Sequence, residues 1–234
     1  MKILIFFLNL FDFINKKKVI NFFKKERFNI NYFFDVGAHL GETANLFNRY
    51  FKIGKMYCFE VSPINFEDLK KKIKNNNNIL LFNYGLGDKE GENNFSQLEE
   101  SSSSTLVEIN QQSKYFIKKK KFLNLFIKKN FKITPKKVNI IKLKNFMNQN
   151  SIEYIDILKI DTEGYEFNVL KGASKYSQKI KLIYFEHHYD DMIIKNYKFG
   201  DIHNLLEEKG FKMIKKSKML FRKSFEYVYE NQKN

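Results

Sequence analysis

Two glycines follow a short run of aromatic and β-branched residues near the start of the chain. Residues 32–36 are typical of a buried strand, and Gly37 and Gly41 come next. Glycine lets the backbone turn sharply where a side chain would clash with a ligand, and the free N–H groups that open the next helix, at Glu42 and Thr43, point toward that ligand. We therefore expect a ligand over this turn; the alternative is a tight turn with no ligand.

The spacing and charge of this turn indicate which ligand it suits. Gly37 and Gly41 form G-x-x-x-G rather than the G-x-G-x-x-G of dinucleotide-binding proteins, so the turn lacks a roomy cradle for a pyrophosphate. Asp35, at the end of the strand, repels a phosphate but suits a cation or an amine. S-adenosylmethionine carries a sulfonium and an amino group and has no phosphate, so it fits this pattern.

A second acid lies about one βαβ unit further along the chain. Glu60 ends the apolar run 55–59, near the offset at which an acidic residue meets ribose hydroxyls in nucleotide-binding folds. Its carboxylate can accept hydrogen bonds from both hydroxyls of an adenosine ribose. Together with the first turn, this spacing favours a ribose-binding role over a solvated glutamate at a strand end.

Three further acids follow the apolar run 155–160. They are Asp161, Glu163 and Glu166. Clustered carboxylates at the carboxyl end of a parallel strand are costly unless they bind something, so this segment is a candidate site. The alternative is a charged loop with acids at a helix N-terminus, and it explains Glu166 better than Asp161.

Two adjacent histidines follow the predicted strand 181–186. A histidine side chain ordinarily titrates near neutral pH, so either His187 or His188 is a candidate general base; a pair that only lines the site is the alternative. With Asp190 and Asp191 they also suggest a metal site. No second spaced cluster supports one, so we predict no metal.

Five segments resemble the motifs of FkbM-type methyltransferases and occur in the family's order. They are DVGAHLGE (35–42), FEVSP (59–63) with Asn65 and Phe66, GLGD (85–88), LKIDTEGYE (158–166) and VLKGA (169–173). The resemblance covers most of the chain from residue 31 onward. It implies a Rossmann-like class I methyltransferase sandwich of the α/β class, with a mostly parallel seven-stranded sheet, an antiparallel edge strand and helices on both faces. The chain departs from the family at Val61, where proline is common, and in a long basic segment.

The resemblance also implies the cofactor, S-adenosylmethionine, and usually methylation of a hydroxyl on a sugar, a glycan or a polyketide-like product. The residues expected to bind the cofactor are Asp35, Gly37, Ala38, Gly41, Glu42, Thr43, Glu60, Ser62, Asn83, Gly85, Leu86 and Asp161. A sugar hydroxyl is a weak nucleophile, so a base should remove its proton. Asp161 is our first candidate, followed by Glu163 and His187; Asp161 equally suits cofactor binding.

Composition sets the outer bounds of this interpretation. A chain of 234 residues with 43% hydrophobic residues suffices for one α/β domain. The single cysteine, Cys58, excludes an internal disulfide framework and is consistent with a reducing cytosol. The net charge of +16 suits nucleic acid or an anionic membrane. Codon bias toward Lys, Asn, Ile and Phe gives the same charge without any partner, and we favour that explanation.

The chain divides into an N-terminal extension and one catalytic domain. Residues 1–30 predict an amphipathic helix that packs beside the first strand; the alternative is a helix that lies on an anionic membrane surface. The apolar run in this segment is too short to span a bilayer, and no signal-peptide cleavage site follows it. Residues 31–234 form the predicted methyltransferase domain. Residues 101–105 predict a flexible loop. It is either a lid at the mouth of the active site or a loop without a function of its own. Residues 113–137 predict a basic helical insertion, a cap for an acidic glycan or a docking patch.

Other functional classes remain as alternatives. A nucleic-acid methyltransferase would use the basic surface, but no Asn-Pro-Pro-Tyr-like loop follows strand four, so we expect a small-molecule or glycan acceptor and no nucleic acid. A non-catalytic basic binding module conflicts with the intact acids, and a nicotinamide oxidoreductase conflicts with the glycine spacing. We expect a cytoplasmic protein, with peripheral contact to the inner face of the membrane through residues 1–30 or 113–137 as an option.

Overall fold

The computed structural model describes residues 17–26, 28–73, 76–99, 101–127, 132–219 and 222–233. Ten strands lie in this part of the chain: β1 Ile30–Val36, β2 Ile53–Phe59, β3 Ile79–Phe82, β4 Gly85–Leu86, β5 Gly91–Leu98, β6 Ile133–Ile141, β7 Ile155–Ile160, β8 Ile180–His188, β9 Phe211–Lys218 and β10 Ser224–Asn231. Helix α1 covers residues 17–25. The later helices are α2 Glu42–Tyr50, α3 Pro63–Lys72, α4 Lys114–Ile127, α5 Leu143–Gln149, α6 Glu166–Ser174 and α7 Phe199–Glu208, with a 3₁₀ turn at Ser177–Lys179.

The central sheet has seven strands in the order β3-β2-β1-β7-β8-β10-β9. Strand β10 alone runs antiparallel to its neighbours β8 and β9, and the other pairings are parallel. The reversed strand therefore lies one place inside the edge. The predicted α/β sandwich with a mostly parallel seven-stranded sheet is confirmed.

Two apolar layers cover the faces of this sheet, and neighbouring residues of one strand feed opposite layers. Phe33 lies in the layer that α1, α2 and α3 cover, whereas Phe34 lies in the layer that α5, α6 and α7 cover. The same alternation holds for Ile157 and Leu158 in β7. Strands buried on both faces read as continuous apolar runs, which is why their positions could be predicted from the sequence.

The described part of the N-terminal extension is a helix whose apolar side is buried. Val19, Ile20 and Phe23 pack into the α1–α3 layer, where the Phe23 ring lies edge-on to Tyr184. Residues 1–16 of the predicted extension lie outside the described part of the chain. Among the described residues there is no helix with the length and hydropathy to span a bilayer.

A second sheet, in the order β4-β6-β5, was not predicted. The sequence analysis predicted a flexible loop at 101–105 and one basic helical insertion at 113–137. Instead β5 and β6 pair antiparallel, with α4 between them, and Pro135 lies within β6 opposite Ser96. These strands carry few apolar residues, because one face of the small sheet is exposed, and so the hydrophobic pattern was too weak to reveal them.

Candidate active site

The carboxyl ends of β1, β2 and β7 meet at a cleft with about 540 Å³ of empty space, part of which is open to solvent. The small sheet and the serine stretch after β5 form the opposite wall. Six residues predicted from the sequence line this cleft: Gly37, Glu60, Gly85, Leu86, Asp161 and Glu163. The structure thus brings together acids that follow two separate strands, β2 and β7.

Other predicted cofactor residues do not line the cleft but contact residues that do, directly or through Lys159. Asp35 is buried and pairs with Lys159, and the Ser62 N–H donates to Glu60 Oε1 at 2.8 Å. The Asn83 amide donates to the Glu60 carbonyl at 2.8 Å. Glu42 lies 3.2 Å from His39 Nδ1.

Three more predicted residues belong to the glycine turn and the start of α2. Ala38 and Thr43 are buried. Gly41 stands directly before α2, where its N–H donates to the Ala38 carbonyl at 2.8 Å. None of the three lines the cleft, because the turn presents its first residues, Gly37 and His39, to the open side.

Glu60 is a buried carboxylate fixed at the cleft wall. Its Oε2 accepts the His39 N–H and its Oε1 accepts the Ser62 N–H, each at 2.8 Å. Burial raises the pKa of the Glu60 carboxyl to about 7, and these hydrogen bonds oppose that shift only in part. A rigid carboxylate of this kind can accept hydrogen bonds from a diol at the cleft.

Lys159 is a charged residue beneath the cleft that the sequence reasoning missed. Its Nζ lies 2.8 Å from Asp35 Oδ1 and 3.5 Å from Asp161 Oδ2. Burial lowers the pKa of Lys159, but the two carboxylates outweigh it and raise the pKa above its usual value. The buried cation therefore holds Asp161 in place from below. Its contact with Asp35 depends on the pairing of β1 with β7, which cannot be read from the sequence alone.

Gly37 follows β1 directly and lies against the backbone of Asp161 at the end of β7. Its φ is +83°, and a Cβ there would lie 1.9 Å from the Asp161 carbonyl oxygen. No rotamer change relieves a clash between a Cβ and a backbone atom. The glycine is therefore required by this packing, whether or not a ligand lies above it.

Gly37→Ala is expected to reduce the free energy of unfolding by about 3 kcal/mol or more, because it combines backbone strain with a clash against the main chain. Urea unfolding measures the change. Gly200→Ala in α7 is the matched control, since a Cβ there meets nothing within 4 Å, and it should be neutral or slightly stabilising. Equal stability of the Gly37→Ala protein and the wild type would contradict this account.

A cluster of ionisable side chains lies at the β7–β8 end of the cleft. His188 Nε2 lies 3.5 Å from Glu163 Oε2 and 3.3 Å from Glu186 Oε1, and His188 Nδ1 lies 3.5 Å from Asp190 Oδ2. Burial raises the pKa of Glu163 to about 7, and His188 only partly opposes it. Burial lowers the pKa of His188, but Glu163 and Glu186 reverse this and raise it to about 10. Glu163 is thus a carboxylate that exchanges its proton near neutral pH, beside a charged imidazole.

The loop that carries Glu163 is ordered by its own neighbours. Glu166 Oε1 accepts the N–H groups of Thr162 and Gly164, and its Oε2 accepts the Tyr197 hydroxyl. The Glu163 carbonyl accepts the Thr105 hydroxyl at 2.7 Å. Glu166 therefore shapes the loop, in keeping with the structural explanation that the sequence favoured for it.

His187 and His188 point to opposite sides of β8, as successive strand residues must. The His187 ring packs among Tyr189, Tyr197 and Phe199, and burial lowers its pKa to about 3. His187 does not line the cleft. The histidine next to the acids is His188, and sequence alone could not choose between the two. The described residues contain no group of three His, Cys, Asp or Glu side chains arranged to hold a metal ion.

His39 is a cleft residue that the sequence did not single out, and it contacts the serine stretch for which the sequence predicted a loop. His39 has a positive φ of 49°, and its Nε2 lies 2.8 Å from Ser101 Oγ across the cleft. Ser102 and Ser104 also line this wall. The stretch predicted as a loop thus lies at the mouth, joined to the glycine turn by His39.

The chemistry of this cleft fits S-adenosylmethionine. Its ionisable lining residues are Glu60, Asp161, Glu163 and His39, with Tyr165, and no described lining residue is lysine or arginine. Carboxylates suit the sulfonium and the ribose hydroxyls, while apolar side chains such as Phe59, Leu86 and Leu106 suit a flat base.

Comparisons with known proteins agree with this geometry. The sequence profile described as the methyltransferase FkbM domain matches residues 35–213. A crystal structure of a methyltransferase FkbM from Methylobacillus flagellatus KT superposes with a TM-score of 0.53 at 15% identity, over 86% of this chain and 44% of that one. Magnesium protoporphyrin IX methyltransferase from Synechocystis PCC 6803, solved with bound S-adenosylmethionine, gives a TM-score of 0.53 at 8% identity, over 92% and 77%.

A third solved structure is TrmK of M. capricolum in complex with S-adenosylhomocysteine, at a TM-score of 0.50 and 10% identity, over 88% of this chain and 64% of that one. Of the three, the FkbM methyltransferase is covered least, because this chain spans less than half of its length. At these identities the superpositions establish a shared fold. No curated protein sequence matches the chain.

Proposed function

We propose that this chain, which belongs to the methyltransferase FkbM domain family, methylates a hydroxyl group of a sugar, a glycan or a related metabolite. Membership confirms the resemblance drawn from the sequence motifs. It supports methyltransferase activity with S-adenosylmethionine as the cofactor. What we propose beyond the family is that the acceptor is a hydroxyl group and that particular residues of the cleft act on it.

The observation that carries this proposal is the placement of Glu163. Its side chain lines the cleft and is backed by His188, and its pKa near 7 makes it a competent proton acceptor at physiological pH. A hydroxyl needs such a base, because it is a weak nucleophile until its proton is removed. Asp161 already binds Lys159, so we assign it to the cofactor side and Glu163 to the acceptor.

The residues have distinct tasks in this scheme. When bound, S-adenosylmethionine supplies a methyl group on a positively charged sulfur. Glu60 would bind the ribose hydroxyls, and the carboxylate of Asp161 would balance the positive charge. Glu163 holds the acceptor hydroxyl and takes its proton, while the charged His188 keeps Glu163 ionised and oriented. Bringing the two groups together accounts for much of the rate.

A hydroxyl-rich acceptor suits the walls of this cleft. Carboxylates and the hydroxyls of Ser101, Ser102 and Ser104 offer several hydrogen-bond acceptors to a polyol. The same acids repel a phosphate backbone. This favours a sugar over a nucleic acid, even though the outer surface of the protein is basic.

The test is a transfer assay with isotope-labelled S-adenosylmethionine against mono- and oligosaccharides, with a transfer RNA in parallel. We expect alkali-stable methyl ethers on a sugar. The rate should rise about tenfold per pH unit below pH 7 and level off above it, because only ionised Glu163 accepts a proton. Transfer to RNA alone, or a rate that falls as the pH rises from 6 to 8, would refute the proposal.

A further inference from the structure

Helix α4 has one side packed on the rim of the cleft. Phe116 is buried in a small apolar cluster with Leu98, Ile109 and Ile193, and Lys119 Nζ donates to the Ser103 hydroxyl. This cluster also reaches the loop of Glu163, since a Cβ at Gly164 would lie 2.6 Å from the Ile193 side chain. The position of α4 is therefore fixed relative to the acceptor end of the site.

The opposite side of α4 is exposed and basic over residues 114–122. The helix contains no acidic residue. Its exposed lysines in this stretch are Lys114, Lys118, Lys120 and Lys121. Two large apolar side chains lie among them, with Ile117 42% and Phe122 40% exposed. Ile194, in the segment that packs against α4, is 50% exposed. We call the four lysines with Ile117 and Phe122 the α4 surface.

We propose that the α4 surface binds an anionic lipid membrane and presents the cleft to an acceptor at that membrane. Lysines complement the acidic headgroups, while the exposed Ile117 and Phe122 reach the boundary of the acyl chains, as in helices that lie at a membrane interface. A nucleic acid would use the lysines but would gain little from an exposed isoleucine. The membrane contact stands on the α4 surface alone; the location of the acceptor rests on the proposed function.

The experiment is co-sedimentation of the full chain with vesicles of phosphatidylcholine, with and without 30% phosphatidylglycerol. We expect binding to the anionic vesicles only, and weaker binding when the salt is raised. Replacing the four lysines by glutamine should reduce partitioning at least tenfold, because each lysine near such a surface contributes to binding. Lys52, Lys55, Lys72 and Lys175 are exposed elsewhere, and their fourfold replacement by glutamine removes the same charge and should have little effect.

A second variant separates lipid from nucleic acid. Ile117→Ser combined with Phe122→Ser should weaken vesicle binding severalfold and leave any binding of transfer RNA unchanged. The proposal would be overturned if the wild type did not bind vesicles, or if the two lysine variants lost vesicle binding equally. It would also be overturned if RNA binding depended on the α4 lysines while vesicle binding did not. Calorimetric titration of S-adenosylmethionine on every variant reports folding and the cofactor site, so failure of membrane binding is distinguishable from failure of the proposed function.

Discussion

Glu163→Gln is expected to lower kcat for methyl transfer by about 10²- to 10⁴-fold, the range typical for loss of a general base. Glutamine keeps the size of the side chain and can still hydrogen-bond a hydroxyl, but it cannot take a proton. The affinity for S-adenosylmethionine should stay within about threefold of the wild type, because Glu60 and Asp161 are untouched. Steady-state kinetics with the sugar acceptor, together with calorimetric titration of the cofactor, measure both quantities.

Two further readouts separate a base from a merely structural role. The residual rate of the variant should no longer rise with pH through 7. Since the folded pKa of Glu163 lies above the unfolded value near 4.5, the folded protein retains a proton that the unfolded chain releases. The wild type should therefore lose unfolding free energy as pH rises from about 4.5 to 7, and the variant should lose less.

The matched control is Glu153→Gln, an exposed change of the same chemistry just before β7. It should leave kcat, the pH profile and stability unchanged. A Glu163→Gln protein with kcat within threefold of the wild type would remove Glu163 from the proposed mechanism.

Glu60→Gln is expected to weaken S-adenosylmethionine binding by about 10- to 100-fold, since hydrogen bonds to a charged group contribute roughly 1.5–3 kcal/mol. The amide retains one oxygen for the N–H groups of His39 and Ser62, but it turns its NH₂ group toward one of these two donors. The glycine turn then loses part of its support while the ribose loses an acceptor. Calorimetric titration gives the dissociation constant directly.

Folding of this variant must be checked because Glu60 is buried. A melting temperature within a few degrees of the wild type shows that the loss lies in binding. Glu67→Gln, an exposed change on α3, should bind the cofactor normally. An unchanged dissociation constant for Glu60→Gln in folded protein would show that the ribose does not depend on this carboxylate.

The central sheet was predictable because its strands are buried on both faces. The runs that end near Asp35, Glu60 and Asp161 are almost uninterrupted in apolar residues, and each is followed by turn or helix signals. The small sheet was not predictable on these grounds. Strand β5 reads GENNFSQL, with apolar residues only at Phe95 and Leu98, and its pairing partner lies beyond a whole helix.

The candidate site shows the same division between local and long-range information. The acids at strand ends and the glycine turn are local, and several of them line the cleft. Which acid pairs with the buried Lys159, and which histidine faces Glu163, depends on strand register and on the side of the strand. A positive φ at His39 likewise has no signature in the sequence.

The pairing of β5 with β6 has a consequence for how the specificity of this protein can evolve. Leu98, where the chain leaves β5, lies opposite Ile133, where it returns in β6, so the segment between them is closed at its base. Its length can therefore vary without altering the spacing of the strands that carry Glu60 and Asp161. We expect exchange of this segment between related enzymes to change the acceptor, provided that Ser101 and Thr105, which contact His39 and the Glu163 loop, are kept.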